Sequence, residues 1–282
     1  MEIITKITEL QKKISHIRKQ GNTIGFVPTM GALHRGHISL LEKSISCADY
    51  SVVSIFVNPT QFNNPDDFDK YPITFDSDKD KLLAAGCNCL FLPDVKEMYP
   101  EKDTRIFDFD GIDKLMEGEF RPGHFNGVAQ IVSKLFDAVQ PDKAFFGQKD
   151  FQQLSIIKKM VEKYNFTVEI IGCPIVREPD GLAMSSRNMR LSSEEREKAL
   201  LISQTLFIAQ KMATKLSVEE LKNWVAEQFK NDLVYKFEYF NIVDDINLKP
   251  IKSWDEDNKK FACIAVHVGP VRLIDNVEFL MD

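Results

Sequence analysis

Nothing in this 282-residue sequence approaches the roughly 18 consecutive apolar residues that a membrane span requires. The first stretch, Met1 to Gln20, is amphipathic and charged and has no apolar core of signal-peptide length. A cytoplasmic location, with no membrane partner, is therefore the expectation. An excess of basic residues is missing too. Lys and Arg number 36 against 42 Asp and Glu, a net charge of −6, which argues against nonspecific nucleic-acid binding but leaves room for a local basic pocket. Cysteine is scarce. The five residues Cys47, Cys87, Cys89, Cys173 and Cys263 are odd in number and irregular in spacing, so no disulfide framework follows. Cys87-Asn-Cys89 is too short for the usual zinc pair and no second pair follows it, so no metal site is expected. The thiols are expected to be reduced and mostly buried. There is no internal repeat and no low-complexity segment. What remains, 44% apolar and 28% charged residues, is the composition of a globular protein with ample core.

Short apolar runs alternate with helical patterns through the first 170 or so residues. Strands are expected at Ile24–Val27, Ser51–Val57, Cys89–Leu92, Arg105–Phe109, Lys143–Phe146 and Thr167–Ile171. Helices are expected at Thr8–Lys19, Ile38–Ala48, Ser77–Ala85, Gly127–Val139 and Gln152–Tyr164. That alternation predicts βαβ units and an α/β fold, a Rossmann-like doubly wound parallel sheet. Ligands of such sheets bind beyond the carboxyl ends of the strands. After about residue 175 the pattern changes. Ser192-x-x-Glu195 and Ser217-x-x-Glu220 read as capping boxes opening two helices. Three strand-like runs follow, Tyr235–Val243, Phe261–Val268 and Val271–Phe279, the last two joined by a Gly269-Pro270 turn. Two domains are expected: 1–175, Rossmann-like, and 176–282, smaller, α+β, closing over the active site.

Four segments carry chemistry. Pro28-Thr-Met-Gly-Ala-Leu-His34-Arg-Gly36-His37 lies between a strand and a helix, where backbone N–H groups and the positive helix end favour an anion such as phosphate. Histidine adds a donor that titrates near neutrality. Phe145-Phe-Gly147-Gln-Lys149-Asp150-Phe-Gln-Gln153 places a phosphate-seeking lysine and a capping or ribose-binding aspartate at another strand-to-helix turn. Met184-Ser185-Ser186-Arg187-Asn188 is a donor-rich loop at the domain junction, with an arginine suited to bidentate phosphate contact. Asn58-Pro-Thr-Gln61 offers uncharged donors and acceptors for a carboxylate, hydroxyl or amide. Taken singly, an ordinary turn or linker explains the second as well as a site does, and the last two better. Asp76 and Asp78 read as part of a helix start.

Together with Arg121-Pro-Gly-His-Phe125, these motifs occur in the order and spacing of the pantoate–β-alanine ligases, members of the nucleotidyltransferase superfamily with the His-x-Gly-His signature. The resemblance spans essentially the whole chain. Gln148 stands where several relatives carry Glu. The resemblance implies condensation of pantoate with β-alanine at the expense of ATP, through a pantoyl adenylate, giving pantothenate, AMP and diphosphate. It implies that Met30, Gly31, Ala32, Leu33, His34, Arg35, Gly36 and His37 bind ATP, with His37 and His34 catalytic. It adds Gly147, Gln148, Lys149, Asp150, Val176, Met184, Ser185, Ser186 and Arg187 to the ATP contacts. Gln61 and Gln153 are implied for pantoate, and Gln61 with Asn58 for β-alanine. Magnesium is expected to arrive on the ATP phosphates, and Arg121–Val132 resembles a dimer-forming region, implying a homodimer. The competing reading is a nucleotidyltransferase that releases a nucleotide-activated product.

Overall fold

The computed structural model describes residues 1–62, 68, 71–213 and 215–280. The chain forms two compact units, one of Met1–Gln148 and Ile156–Pro174 and the other of Lys149–Ser155 and Ile175–Asp282.

The first unit is built on six parallel strands: β1 Glu2–Ile4, β2 Ile24–Thr29, β3 Tyr50–Ile55, β4 Cys89–Phe91, β5 Lys143–Gly147 and β6 Glu169–Cys173. Their order is β1-β4-β3-β2-β5-β6. Val52, Val53, Phe26 and Val27 are wholly or almost wholly buried, as a sheet covered on both faces requires. Helices α1 Ile7–Lys19, α2 Arg35–Cys47, α3 Phe75–Ala84 and α4 His124–Val139 belong to this unit, and α5 Phe151–Lys163 runs from the second unit into it. Leu10, Ile14 and Ile17 make one apolar stripe on α1. From β2 the chain winds outward through β3 on one side and later returns to β5 on the other. The carboxyl ends of β2 and β5 therefore flank the topological switch point, where open α/β sheets bind ligands.

One strand escapes the sequence reading here, and one expectation fails. The three-residue edge strand β1 carries too little pattern to be read. The run Arg105–Phe109 is no strand. It is extended, but side chains take its backbone groups. The Arg105 carbonyl accepts from Gln130 Nε2 at 2.8 Å and Asn126 Nδ2 at 3.1 Å, the Phe107 amide donates to Asn126 Oδ1 at 2.9 Å, and the Asp108 amide donates to the Tyr164 hydroxyl at 2.8 Å. Amides of α4 thus replace a neighbouring strand, while Phe107 and Phe109 are buried. The alternation that suggests a strand is real, and only the hydrogen-bond partner differs.

Asp103 anchors that segment. Its carboxylate receives Arg105 Nη2 at 2.6 Å, with Lys134 Nζ at 3.6 Å. The hydrogen bond from Arg105 outweighs burial and lowers the Asp103 pKa from 3.8 to about 2. A depressed carboxylate stabilises the fold above its unfolded pKa, and that contribution is lost as pH falls from about 4 through 2. Asp103→Asn is expected to cost about 1 kcal/mol at neutral pH, allowing for screening of the half-exposed Arg105. It is also expected to flatten the decline of stability between those pH values. Denaturant titrations of both proteins across that range check this; parallel curves would remove Asp103 from the acid transition.

The second unit holds an antiparallel sheet of β7 Tyr235–Asp244, β8 Lys260–Val268 and β9 Val271–Phe279, in that order. Helices α6 Ser193–Met212 and α7 Val218–Gln228 open on the capping boxes Ser192/Glu195 and Ser217/Glu220. Leu221, Val225 and Phe229 join Ile202, Leu206 and Ile264 in one core. Cys87 and Cys89, in the first unit, are buried, and burial pushes their thiols up to about 11 and about 12, which leaves them inert at neutral pH. Among the described residues no helix is long and apolar enough to cross a membrane, and no group of three or more His, Cys, Asp or Glu is placed to hold a metal ion.

Candidate active site

The histidine run leaves β2 at its carboxyl end. Thr29 Oγ1 donates to the Ser54 carbonyl at 2.8 Å and accepts the Gly31 amide at 3.2 Å. Gly31 and Ala32 both have positive φ, 83° and 49°, a sharp reversal that glycine makes cheaply and alanine does not. Leu33 turns inward and is buried in the core. The loop is thus pinned before His34 begins.

The helix starts at Arg35, three residues earlier than the periodicity predicts, because the cap is a histidine. His34 Nδ1 accepts the Gly36 amide at 3.1 Å, and His37 Nδ1 accepts the His34 amide at 3.3 Å. This reciprocal capping box uses imidazoles where Ser, Thr, Asp or Asn is usual. Its consequence is chemical. A ring nitrogen that accepts an N–H carries no proton, so these contacts assign the proton of both neutral rings to Nε2. The rings lie 4.1 Å apart with planes 35° apart. Helix end, backbone amides and two Nε2–H donors therefore gather at one anion-favouring terminus. Arg35 is exposed, and its guanidinium meets Glu42 at 2.7 Å.

The second cluster follows β3. Asn58 is 1% exposed. Its Oδ1 accepts from the Tyr99 hydroxyl at 2.8 Å and Thr60 Oγ1 at 3.2 Å. Its Nδ2 donates to Gln61 Oε1 and the Gly127 carbonyl, both at 3.2 Å. Those four bonds fill the capacity of the amide. Asn58 therefore holds Gln61 in place. Gln61 Nε2 reaches Met30 Sδ at 2.8 Å, which joins the second cluster to the histidine run. The Gln61 carbonyl is 2.8 Å from His124 Nδ1. A Cβ at Gly127 would stand 2.5 Å from the Thr60 carbonyl oxygen, so only glycine lets α4 approach this turn. Arg121-Pro-Gly-His-Phe125, matched in the sequence without a site role, supports the glutamine.

Gly147 ends β5 opposite Cys173, and Gln148–Asp150 form a short 3-10 turn before α5. From Lys149 onward the predicted residues lie in the second unit. The Lys149 carbonyl accepts from Asn276 Nδ2 at 2.9 Å, and its Nζ lies 3.8 Å from Asp150 Oδ1. Gln153 is half-buried in the first turn of α5. Val176 and Met184 face each other across a small hairpin, the Met184 amide donating to the Val176 carbonyl at 3.0 Å. Ser185 caps the turn Ser186–Arg190, accepting the Arg187 amide at 3.3 Å. Arg177 pins this hairpin to β9. It meets Asp275 through Nη1 at 2.6 Å and Nη2 at 2.9 Å, donates to the Gly181 carbonyl at 3.0 Å, and lies over Phe207. Adjacent residues of β9, Asp275 and Asn276, thus secure the serine–arginine hairpin and the lysine turn. No motif in the sequence announces that pair. The same is true of Tyr99, and of Asp78, which binds the amides of Ala32 and Leu33.

A parallel α/β sheet with a histidine-capped helix N-terminus at its switch point is the architecture of a nucleotide-using group-transfer enzyme. The Pantoate-beta-alanine ligase family matches the chain over residues 2–278. The pantothenate synthetase of Bacteroides thetaiotaomicron is 53% identical over 279 residues, covering 99% of each chain. The crystal structure of pantothenate synthetase from Thermus thermophilus superposes with a TM-score of 0.93 at 39% identity over 100% of both chains. Pantoate-beta-alanine ligase from Francisella tularensis, in complex with beta-gamma ATP and beta-alanine, gives 0.82 at 37% identity, covering 100% of this chain and 99% of its own. The chain belongs to the pantoate–β-alanine ligase family.

Proposed function

We propose that this ligase makes pantothenate in two transfers, through a pantoyl adenylate. A pantoate carboxylate oxygen attacks the ATP α-phosphorus and pyrophosphate departs. The β-alanine amine then attacks the acyl carbon, AMP departs and the nitrogen loses a proton. The observation that carries this reading is the reciprocal histidine cap. It fixes two Nε2–H donors at a helix N-terminus, the arrangement that stabilises charge growing on departing phosphate oxygens. No covalent enzyme intermediate is required, and the protein contributes position and charge neutralisation.

The remaining roles follow the family resemblance. His37 donates to the reacting phosphate and His34 assists, with Met30 to Gly36 lining ATP. Lys149 and the Met184–Arg187 turn hold the phosphates. Gly147 and Asp150 take the ribose, Gln148 adjoins it, and the Val176 backbone takes adenine. Gln61 and Gln153 bind pantoate, and Gln61 also meets β-alanine, with Asn58 behind it. Magnesium enters on the ATP phosphates. The smaller domain, 176–282, closes over the nucleotide, and the enzyme works as a cytoplasmic homodimer.

The test is an assay with ATP, pantoate and β-alanine, each omitted in turn. Pantoate alone should support pyrophosphate–ATP exchange, and AMP with pantothenate should appear only when β-alanine is added. AMP release that ignores β-alanine would sink the ligase reading and leave a nucleotidyltransferase.

A further inference from the structure

Asp78 lies outside every motif, yet it is 1% exposed and both carboxylate oxygens are engaged. Oδ2 accepts the Ala32 amide at 2.8 Å, and Oδ1 accepts the Leu33 amide at 2.7 Å and Thr74 Oγ1 at 3.0 Å. One turn further along α3, Lys81 Nζ donates to the Leu33 carbonyl at 2.7 Å. The two amides belong to the residues immediately before His34, one of them in a left-handed conformation. A buried carboxylate is costly unless hydrogen-bonded, and here the bonds it requires are those of the histidine run. We infer that Asp78 is a positioning residue for adenylate formation, holding residues 32 and 33 so that the cap presents His34 and His37 to the nucleotide. The inference rests on the adenylation reading above.

The test is Asp78→Asn in pyrophosphate–ATP exchange. Asparagine keeps the shape and one acceptor oxygen but sets an NH2 group against the other amide, so one buried N–H loses its partner. A loop displaced by about 1 Å costs roughly 100-fold in kcat. The KM for ATP should change by less than about threefold, because the affected donors act on charge that develops in the transition state. The double variant Asp78→Asn/His37→Ala should be no slower than His37→Ala alone, since the two act as one unit. A wild-type kcat in Asp78→Asn, or losses that multiply in the double variant, would overturn the inference. If Asp78→Asn does not fold, Lys81→Met at an exposed position decides. A fall of about three- to tenfold in kcat with unchanged melting temperature supports the role, and an unchanged kcat overturns it. Failure of exchange in the wild-type protein would instead overturn the adenylation reading itself.

Discussion

His37→Ala is expected to slow pantoate-dependent pyrophosphate–ATP exchange by about 10²- to 10³-fold, the usual loss when one donor aimed at developing charge is removed. The fold should survive. Alanine also removes the acceptor for the His34 amide, and losing a helix cap costs about 1 kcal/mol. A small fall in melting temperature will therefore accompany the rate loss. The two effects separate with His37→Gln. Glutamine at the third helical position is a natural capping-box partner, so it restores the cap, but it does not place a donor where Nε2 stands. Stability is expected to return while the rate stays low. Near-wild-type exchange in His37→Ala would remove this residue from the chemistry.

Arg177→Met should have the largest effect on stability. Asp275 is 3% exposed, and burial already raises its pKa against the opposing pull of Arg177. Without the arginine, an ionised carboxylate is left buried and uncompensated, which costs about 3–5 kcal/mol. The sign of the pH dependence follows. A buried acid with a raised folded pKa resists ionisation, so the penalty grows as pH rises above the unfolded value and shrinks as pH falls toward it. Denaturant titrations at pH 7 and pH 5 should show the variant recovering part of its deficit at the lower pH, because losing the opposing pull of Arg177 makes its Asp275 gain more from protonation than the wild type's does. Arg177→Met/Asp275→Leu should regain much of the loss at both values. A pH-independent deficit in the single variant would mean that the packing of Arg177 on Phe207 and its bond to Gly181, rather than the charge, sets the cost.

Both predictions concern residues that the sequence treats very differently. His37 stands in a motif whose spacing marks it as a candidate site residue. Asp275 is one acidic residue in a β-strand. The same contrast runs through the fold. Buried Val-rich strands such as β3 are legible because a sheet covered on both faces demands them, and the Ser-x-x-Glu boxes announce α6 and α7 through local hydrogen bonds. Local pattern misleads where the partner is remote. Arg105–Phe109 has the alternation of a strand, but amides of α4 replace a strand ladder. The start of α2 is misplaced because a histidine does the work of a serine or aspartate.

The sequence alone determined the α/β class and the family, and it singled out His34, His37, Gln61, Lys149 and Arg187 as the groups proposed to face substrate. Those properties reside in residue types at short spacings, which local chemistry exposes. Tertiary structure alone decided how the groups are held. Asp78 meets a loop 46 residues away in sequence, His124 meets Gln61 across 63, and Asn276 meets Lys149 across 127. A carboxylate or amide carries no mark of the distant backbone group it will satisfy. Only folding, which leaves almost no buried polar group unpaired, assigns that partner.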